Sequence, residues 1–185
     1  MPNCDAGLVS VLMSVYNGAP TLEKAAASVL AQTYRDLELI LCDDASTDDT
    51  WRIMQRIAAQ DARVTIFQNK TNLGLGASLN ECLARAQGAY IARQDADDVS
   101  DSDRIERTMD FLLSSGAPYA ACGVRVFDDT GVWSTRQFPQ KITKHIIAQK
   151  NPFFHPTMLF RRAVLESVNG YSTSPETRRT EDYDL

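Results

Sequence analysis

From Leu8 onward the chain repeats one pattern: a short apolar run, a polar turn, then apolar positions recurring every three or four residues. Leu8 to Val15 is β-rich and nearly all apolar. Asn17-Gly18 breaks it, and Pro20 is pre-set for the first turn of a helix. Leu22, Ala25, Ala26, Val29 and Leu30 then share one helical face. Leu37 to Cys42 is a second strand. Ser46 or Thr47 is expected to cap the next helix, with Asp48 and Asp49 favourable in its first turn and Trp51, Met54, Ile57 and Ala58 on its buried side. Val64 to Phe67 is a third strand, Asn72 to Gly76 a loop, and Ala77 to Ala86 a helix buried through Leu79 and Leu83. Gly88 ends that helix, and Ala89 to Ala92 is a fourth strand.

Ser102 is positioned to cap a helix that buries Ile105, Met109, Leu112 and Leu113, which Gly116 and Pro118 stop. Tyr119 to Phe127 reads as one fifth strand, followed by a turn at Asp128 to Gly131 and a strand from Val132 to Phe138. A short helix over Ile142 to Ala148, a strand over Thr157 to Phe160 and a helix over Arg161 to Val168 complete the pattern. Strands alternating with helices predict an α/β fold with a mostly parallel central sheet covered by helices on both faces. The part after residue 118 is less regular and is expected to add a mixed edge.

Composition narrows the function. The chain has 185 residues, 44% hydrophobic and 23% charged, which gives core enough for one domain over residues 1–185 and excludes disorder. The net charge of −5 argues against a nucleic-acid partner. The four cysteines, Cys4, Cys42, Cys82 and Cys122, are each about forty residues apart. They form no zinc or redox motif, and a reduced, cytoplasmic setting is expected. Cys42 and Cys122 read as small buried hydrophobes. No apolar run approaches the length of a membrane span.

Half of the 24 acidic residues lie in three short windows: Asp43 to Asp49, Asp95 to Asp103, and Glu181 to Asp184. The first two follow directly on apolar strands, at the carboxyl ends where open α/β sheets bind ligands. Like charges this close raise each other's pKa and cost stability, which a divalent cation offsets. Carboxylate oxygens suit Mg2+ and Mn2+, and Mg2+ commonly pairs one or two carboxylates with substrate phosphates. An Asp-x-Asp at a strand end therefore points to a metal-bridged nucleotide diphosphate.

At this point the chain resembles a known family. Val9 to Asn17 is similar to the opening strand of family 2 glycosyltransferases, and Cys42 to Thr50 resembles their nucleotide-binding turn. Asn72-Leu73-Gly74, Asn80 and Ala86 to Ile91 lead into Asp95-Ala96-Asp97-Asp98, which resembles the family's Asp-x-Asp. Thr180 to Leu185 resembles its Glu-Asp motif. The resemblance implies a GT-A fold and inverting transfer of a sugar from a nucleotide-diphosphate sugar to a glycan or lipid-linked acceptor, in polysaccharide or cell-envelope synthesis. It implies that Asp44 bonds the base, that Ser14 and Tyr16 line the nucleotide pocket, and that Asp95 lies near ribose and metal. It further implies that Asp97 ligates Mn2+ or Mg2+, and that Asp182, beside Glu181, is the general base.

Ala45 and Asp49 stand where the family commonly has glycine. The chain stops just after Asp182, so the domain is expected to be truncated at its C-terminal end, and peripheral membrane association would rest on segments beyond it. His155 is read as structural, with an approach to the diphosphate as its other reading. Two alternatives remain: a non-catalytic sugar-nucleotide-binding module, and a nucleotidyltransferase. The second would want a glycine-rich basic loop that Asn17 to Pro20 does not supply.

Overall fold

A computed structural model describes residues 7–137 and 153–174. Four strands, β1 (Val9–Val15), β2 (Leu37–Asp43), β3 (Val64–Gln68) and β4 (Tyr90–Arg93), pair in parallel. Helices α1 (Leu22–Leu30), α2 (Thr50–Gln60) and α3 (Leu75–Arg85) connect them. After β4 come α4 (Arg104–Ser115) and β5 (Tyr119–Ala121), then β6 (Val124–Asp128) and β7 (Gly131–Arg136). Beyond residue 153 a 3-10 turn (His155–Thr157) leads into β8 (Met158–Arg161) and α5 (Arg162–Ser167). The sheet order is β3-β2-β1-β4-β8-β5, and β8 runs antiparallel to both of its neighbours. The mostly parallel sheet and its mixed edge are as the pattern predicts.

Strand alternation sorts the core into two layers. Val9, Val11, Met13, Leu37, Leu39 and Leu41 face α1, α2 and α4. Leu12, Ile40, Cys42 and Ile91 face α3 and α5. Both layers are essentially dry, which is why the strands read as continuous apolar runs.

Several expectations need correcting. The predicted strand Tyr119 to Phe127 is two, because the chain turns at Cys122-Gly123 and β6 leaves the main sheet to pair with β7. A side chain at Gly123 would come within 2.7 Å of the Arg136 carbonyl oxygen, so the bend depends on glycine. Cys42 is buried, but Cys122 is only half-buried at that bend. Helix α3 begins at Leu75, earlier than expected, directly after Gly74 at φ 85°. Ser46 and Thr47 do not cap α2, which starts at Thr50. Ser102 does not cap α4; its carbonyl instead accepts the Thr33 N–H at 2.8 Å. The predicted helix over Ile142 to Ala148 lies outside the described residues.

Candidate functional site at the switch point

The site is built from three loops at the carboxyl ends of neighbouring strands. Val15 of β1 pairs with Asp43 of β2, and Leu12 of β1 pairs with Arg93 of β4. The chain moves outward from β1 to β2 and β3, then returns to the far side of β1 as β4. The strand order therefore reverses between β1 and β4, where open α/β sheets leave a crevice for ligands. The loops after β1 and β4 meet there: a Cβ placed on Gly18 would lie 3.9 Å from the Ala96 Cβ and 2.4 Å from Val15.

Hydrogen bonds lock the loop after β1 to the loop after β2. The Asn17 N–H donates to Ser46 Oγ at 2.8 Å, and Asn17 Oδ1 accepts the Thr47 N–H at 2.8 Å. The Gly18 N–H donates to Thr50 Oγ1 at 2.9 Å, and the Ala19 N–H to Asp48 at 3.2 Å. These partners, supplied from outside the helix, explain why Ser46 and Thr47 are not caps. Asp48 also accepts the Thr50 N–H and hydroxyl, at 3.0 and 2.5 Å. The hydroxyl contact is the main cause holding its carboxyl below the usual range. Two residues in these loops, Asn17 (φ 53°) and Ala45 (φ 62°), adopt the left-handed conformation.

The two aspartates that end β2 are both buried. Asp43 accepts the Ser46 N–H at 3.0 Å and Gln68 Nε2 at 2.7 Å. Asp44 accepts Asn69 Nδ2 at 2.9 Å and the backbone N–H groups of Leu73 and Gly74 at 2.8 and 2.9 Å. A carboxylate offers about four acceptor directions. Three are spent on organising the loop from 69 to 74, leaving one for a ligand donor. Ser14 is half-buried near the end of β1, and Tyr16 just beyond it is 52% exposed.

The loop after β4 is fixed at its base and open at its tip. Gln94 is buried, and its Nε2 donates to the carbonyls of Asp95 and Asp98 at 3.3 and 3.0 Å. Arg104 reaches from α4 to Gln94 Oε1 and the Arg93 carbonyl, both at 2.7 Å, and to Ser100 Oγ at 2.9 Å. Asp95 is half-buried and ion-paired with Arg93. Asp97 is exposed, and its carboxylate has no hydrogen-bond partner among the described residues. Partial desolvation, and then the charges of Asp95 and Asp97, raise the Asp98 carboxyl above its usual range.

Behind this loop His155 packs on Tyr171, ring centroids 5.3 Å apart, and both are buried. The Asn80 side chain holds the Tyr171 backbone through two bonds of 2.8 Å. The structure thus sets Ser14, Tyr16, Asp44, Asp95 and Asp97 on strand ends along one rim. Asp182 and Glu181 lie outside the described residues. Sequence reading missed Arg93, Gln94, Arg104 and Asn69; the only signal was a polar pair, Arg93-Gln94, closing an apolar strand.

An open, mostly parallel α/β sheet with acidic loops at its switch point defines the class of fold, one that takes ligands in the crevice there. The chain belongs to glycosyl transferase family 2, whose family model matches residues 10–168. It is 45% identical over 179 residues to the putative glycosyltransferase EpsE of Bacillus subtilis, covering 96% of this chain and 64% of that protein. It is 34% identical over 131 residues to WfaP of Escherichia coli, a UDP-Glc:alpha-D-GlcNAc-diphosphoundecaprenol beta-1,3-glucosyltransferase, covering 69% of this chain and 51% of that protein. The mannosyltransferase PcManGT from Pyrobaculum calidifontis, solved with GDP-Man and Mn2+, aligns with a TM-score of 0.72 at 23% identity. That alignment covers 91% of this chain and 48% of the neighbour. The fold is GT-A, and the chain spans about half to two thirds of the length of these relatives. No helix among the described residues is long and apolar enough to cross a membrane.

Proposed function

We propose that this chain binds the donor in an inverting, divalent-cation-dependent glycosyltransferase. The enzyme would move a sugar from a nucleotide-diphosphate sugar to a glycan or lipid-linked hydroxyl in cell-envelope polysaccharide synthesis. One observation carries this reading: the acidic turns after β2 and β4 flank the end of β1 where the strand order reverses, with Gly18 against Ala96. The undecaprenol-linked acceptor in the name of WfaP supports the acceptor class. A cytoplasmic location, at the inner membrane face, goes with such an acceptor.

In this reading Ser14, Tyr16 and the last acceptor direction of Asp44 hold the nucleoside. Among the described residues no three His, Cys, Asp or Glu side chains form a ready-made metal cage. The donor set fits Mn2+ or Mg2+ held by the uncommitted Asp97 and the donor's own phosphates. When bound, such a cation stabilises the charge that develops on the departing nucleoside diphosphate. The Mn2+ in the PcManGT complex supports that assignment. Asp182 takes the proton of the attacking hydroxyl, on the face opposite the leaving group. One displacement inverts the anomeric carbon without a second, nucleophilic carboxylate.

The test is a thermal-shift panel of UDP-, GDP- and dTDP-sugars with and without Mn2+, since a ligand bound only by the folded state raises its melting temperature. A metal-dependent shift with one nucleotide is expected, followed by transfer to a lipid-linked acceptor. No shift with any of the three overturns the proposal.

A further inference from the structure

We propose that Arg93 is a positioning residue for the donor site: buried at the end of β4, it holds the Asp95 carboxylate where the sugar nucleotide meets it. The inference rests on the donor-binding function above.

Ile91 belongs to the core layer beneath α3, and Ala92 to the opposite layer. By strand alternation Arg93 shares the face of Ile91, and so does Asp95 if the extended course continues. The Arg93 side chain is 2% exposed and that of Asp95 is 34% exposed, and the two form an ion pair. A guanidinium taken out of water is costly unless it is paired and its donors are used. Here the pairing is minimal. Neither Arg93 Nε nor Nη1 makes a hydrogen bond among the described residues, so Asp95, the only carboxylate Arg93 pairs with there, holds it through Nη1 by charge alone.

The surroundings are rigid. Arg104 grips the Arg93 carbonyl and the Gln94 side chain, and Gln94 in turn grips the Asp95 and Asp98 carbonyls. Tyr171, also buried, feels the Arg93 charge, which partly opposes the desolvation that pushes its phenol up. On this fixed backbone the Arg93 charge draws Oδ1 of Asp95 inward and leaves Oδ2 without a partner among the described residues. It also balances part of the charge of Asp95, Asp97 and Asp98. Asp97, with no such partner, stays available to a metal.

The test is a double-mutant cycle on the chain with Arg93→Met, Asp95→Asn and both together. Affinity for UDP, GDP and dTDP in Mn2+ is measured by calorimetry, and urea unfolding is measured in parallel. Arg93→Met should weaken binding of the nucleotide used by the wild type about tenfold, a typical coupling for residues in contact. Arg93→Lys, which keeps the charge but not the planar fork, should restore part of it. In the Asp95→Asn background Arg93→Met should add less than about twofold.

Losses that multiply in the double variant overturn the proposal, because Arg93 then does not act through Asp95. So does a folded Arg93→Met that binds like the wild type. If Arg93→Met does not fold, Arg93→Lys closes the cycle, and a loss that persists unchanged in Asp95→Asn is equally fatal. Failure of the underlying function looks different: the wild type binds none of the three nucleotides while Arg93 and Asp95 remain coupled in unfolding. That result removes the donor role and leaves a bare ion pair.

Discussion

Asp44 accepts a hydrogen bond from the backbone N–H of Gly74 at 2.9 Å, across thirty residues of sequence. With the Leu73 N–H and Asn69 Nδ2 on its other oxygen, this carboxylate is the fastening between the turn after β2 and the start of α3. Its position beside β1 makes it a candidate ligand for the nucleoside. Its three occupied acceptor directions make it a structural part as well.

Asp44→Asn should therefore cost stability as well as binding. An amide turns an N–H toward at least one of the three donors, leaving that donor buried and opposed. The expected loss is about 2–3 kcal/mol, or about 4–10 °C in melting temperature for a chain of this size. Nucleotide binding should fall with it. An unchanged melting temperature in differential scanning calorimetry would contradict the role given to the Leu73 and Gly74 N–H groups.

Asp97→Ala should do the reverse. The side chain is exposed and bonds to nothing among the described residues, so stability should move by no more than about 0.5 kcal/mol. Mn2+-dependent binding of the nucleotide sugar should be lost. Calorimetric titration of the folded variant checks this, and binding that still responds to Mn2+ would exclude Asp97 as the metal ligand.

Most of the frame was readable before any coordinates. Strands buried on both faces write themselves as apolar runs, and α1 to α4 each carry a periodic buried face, so β1 to β4 and their helices lie close to where expected, with α3 starting two residues early. The acidic loops were visible because they follow those runs directly. What escaped depends on contacts between distant segments. The bend at Gly123 needs the Arg136 carbonyl behind it. Ser46 and Thr47 look like caps until Asn17 arrives from the loop after β1. Arg93 and Arg104 drew no reading at all, since a lone arginine beside an apolar segment does not announce that it is folded inward.

Ala45→Gly should stabilise the protein. Ala45 sits at φ 62°, a conformation costing a residue with a Cβ about 1–2 kcal/mol. Glycine removes that strain but adds freedom to the unfolded chain, offsetting about 0.4–1 kcal/mol. A net gain of about 0.5–1 kcal/mol, or about 1–4 °C, is expected. A lower melting temperature would mean that the Ala45 methyl group makes contacts that outweigh its backbone strain.

Acid should loosen the loop pair through Asp48. Its folded-state pKa lies below the ordinary 3.8 because the Thr50 hydroxyl, the Thr50 N–H and the Ala19 N–H all donate to the ionised form. A carboxyl depressed on folding contributes stability that is fully present above its unfolded pKa and is lost as pH falls through the folded one. Asp61, depressed mainly by the Arg63 guanidinium, has the same sign. Asp48→Asn removes one of these contributions. Its melting temperature should lie below that of the wild type at pH 7, and the gap should narrow steadily from about pH 5 to pH 3. A gap that stays constant over that range would mean that the link from Asp48 to Ala19 and Thr50 does not depend on the carboxylate charge.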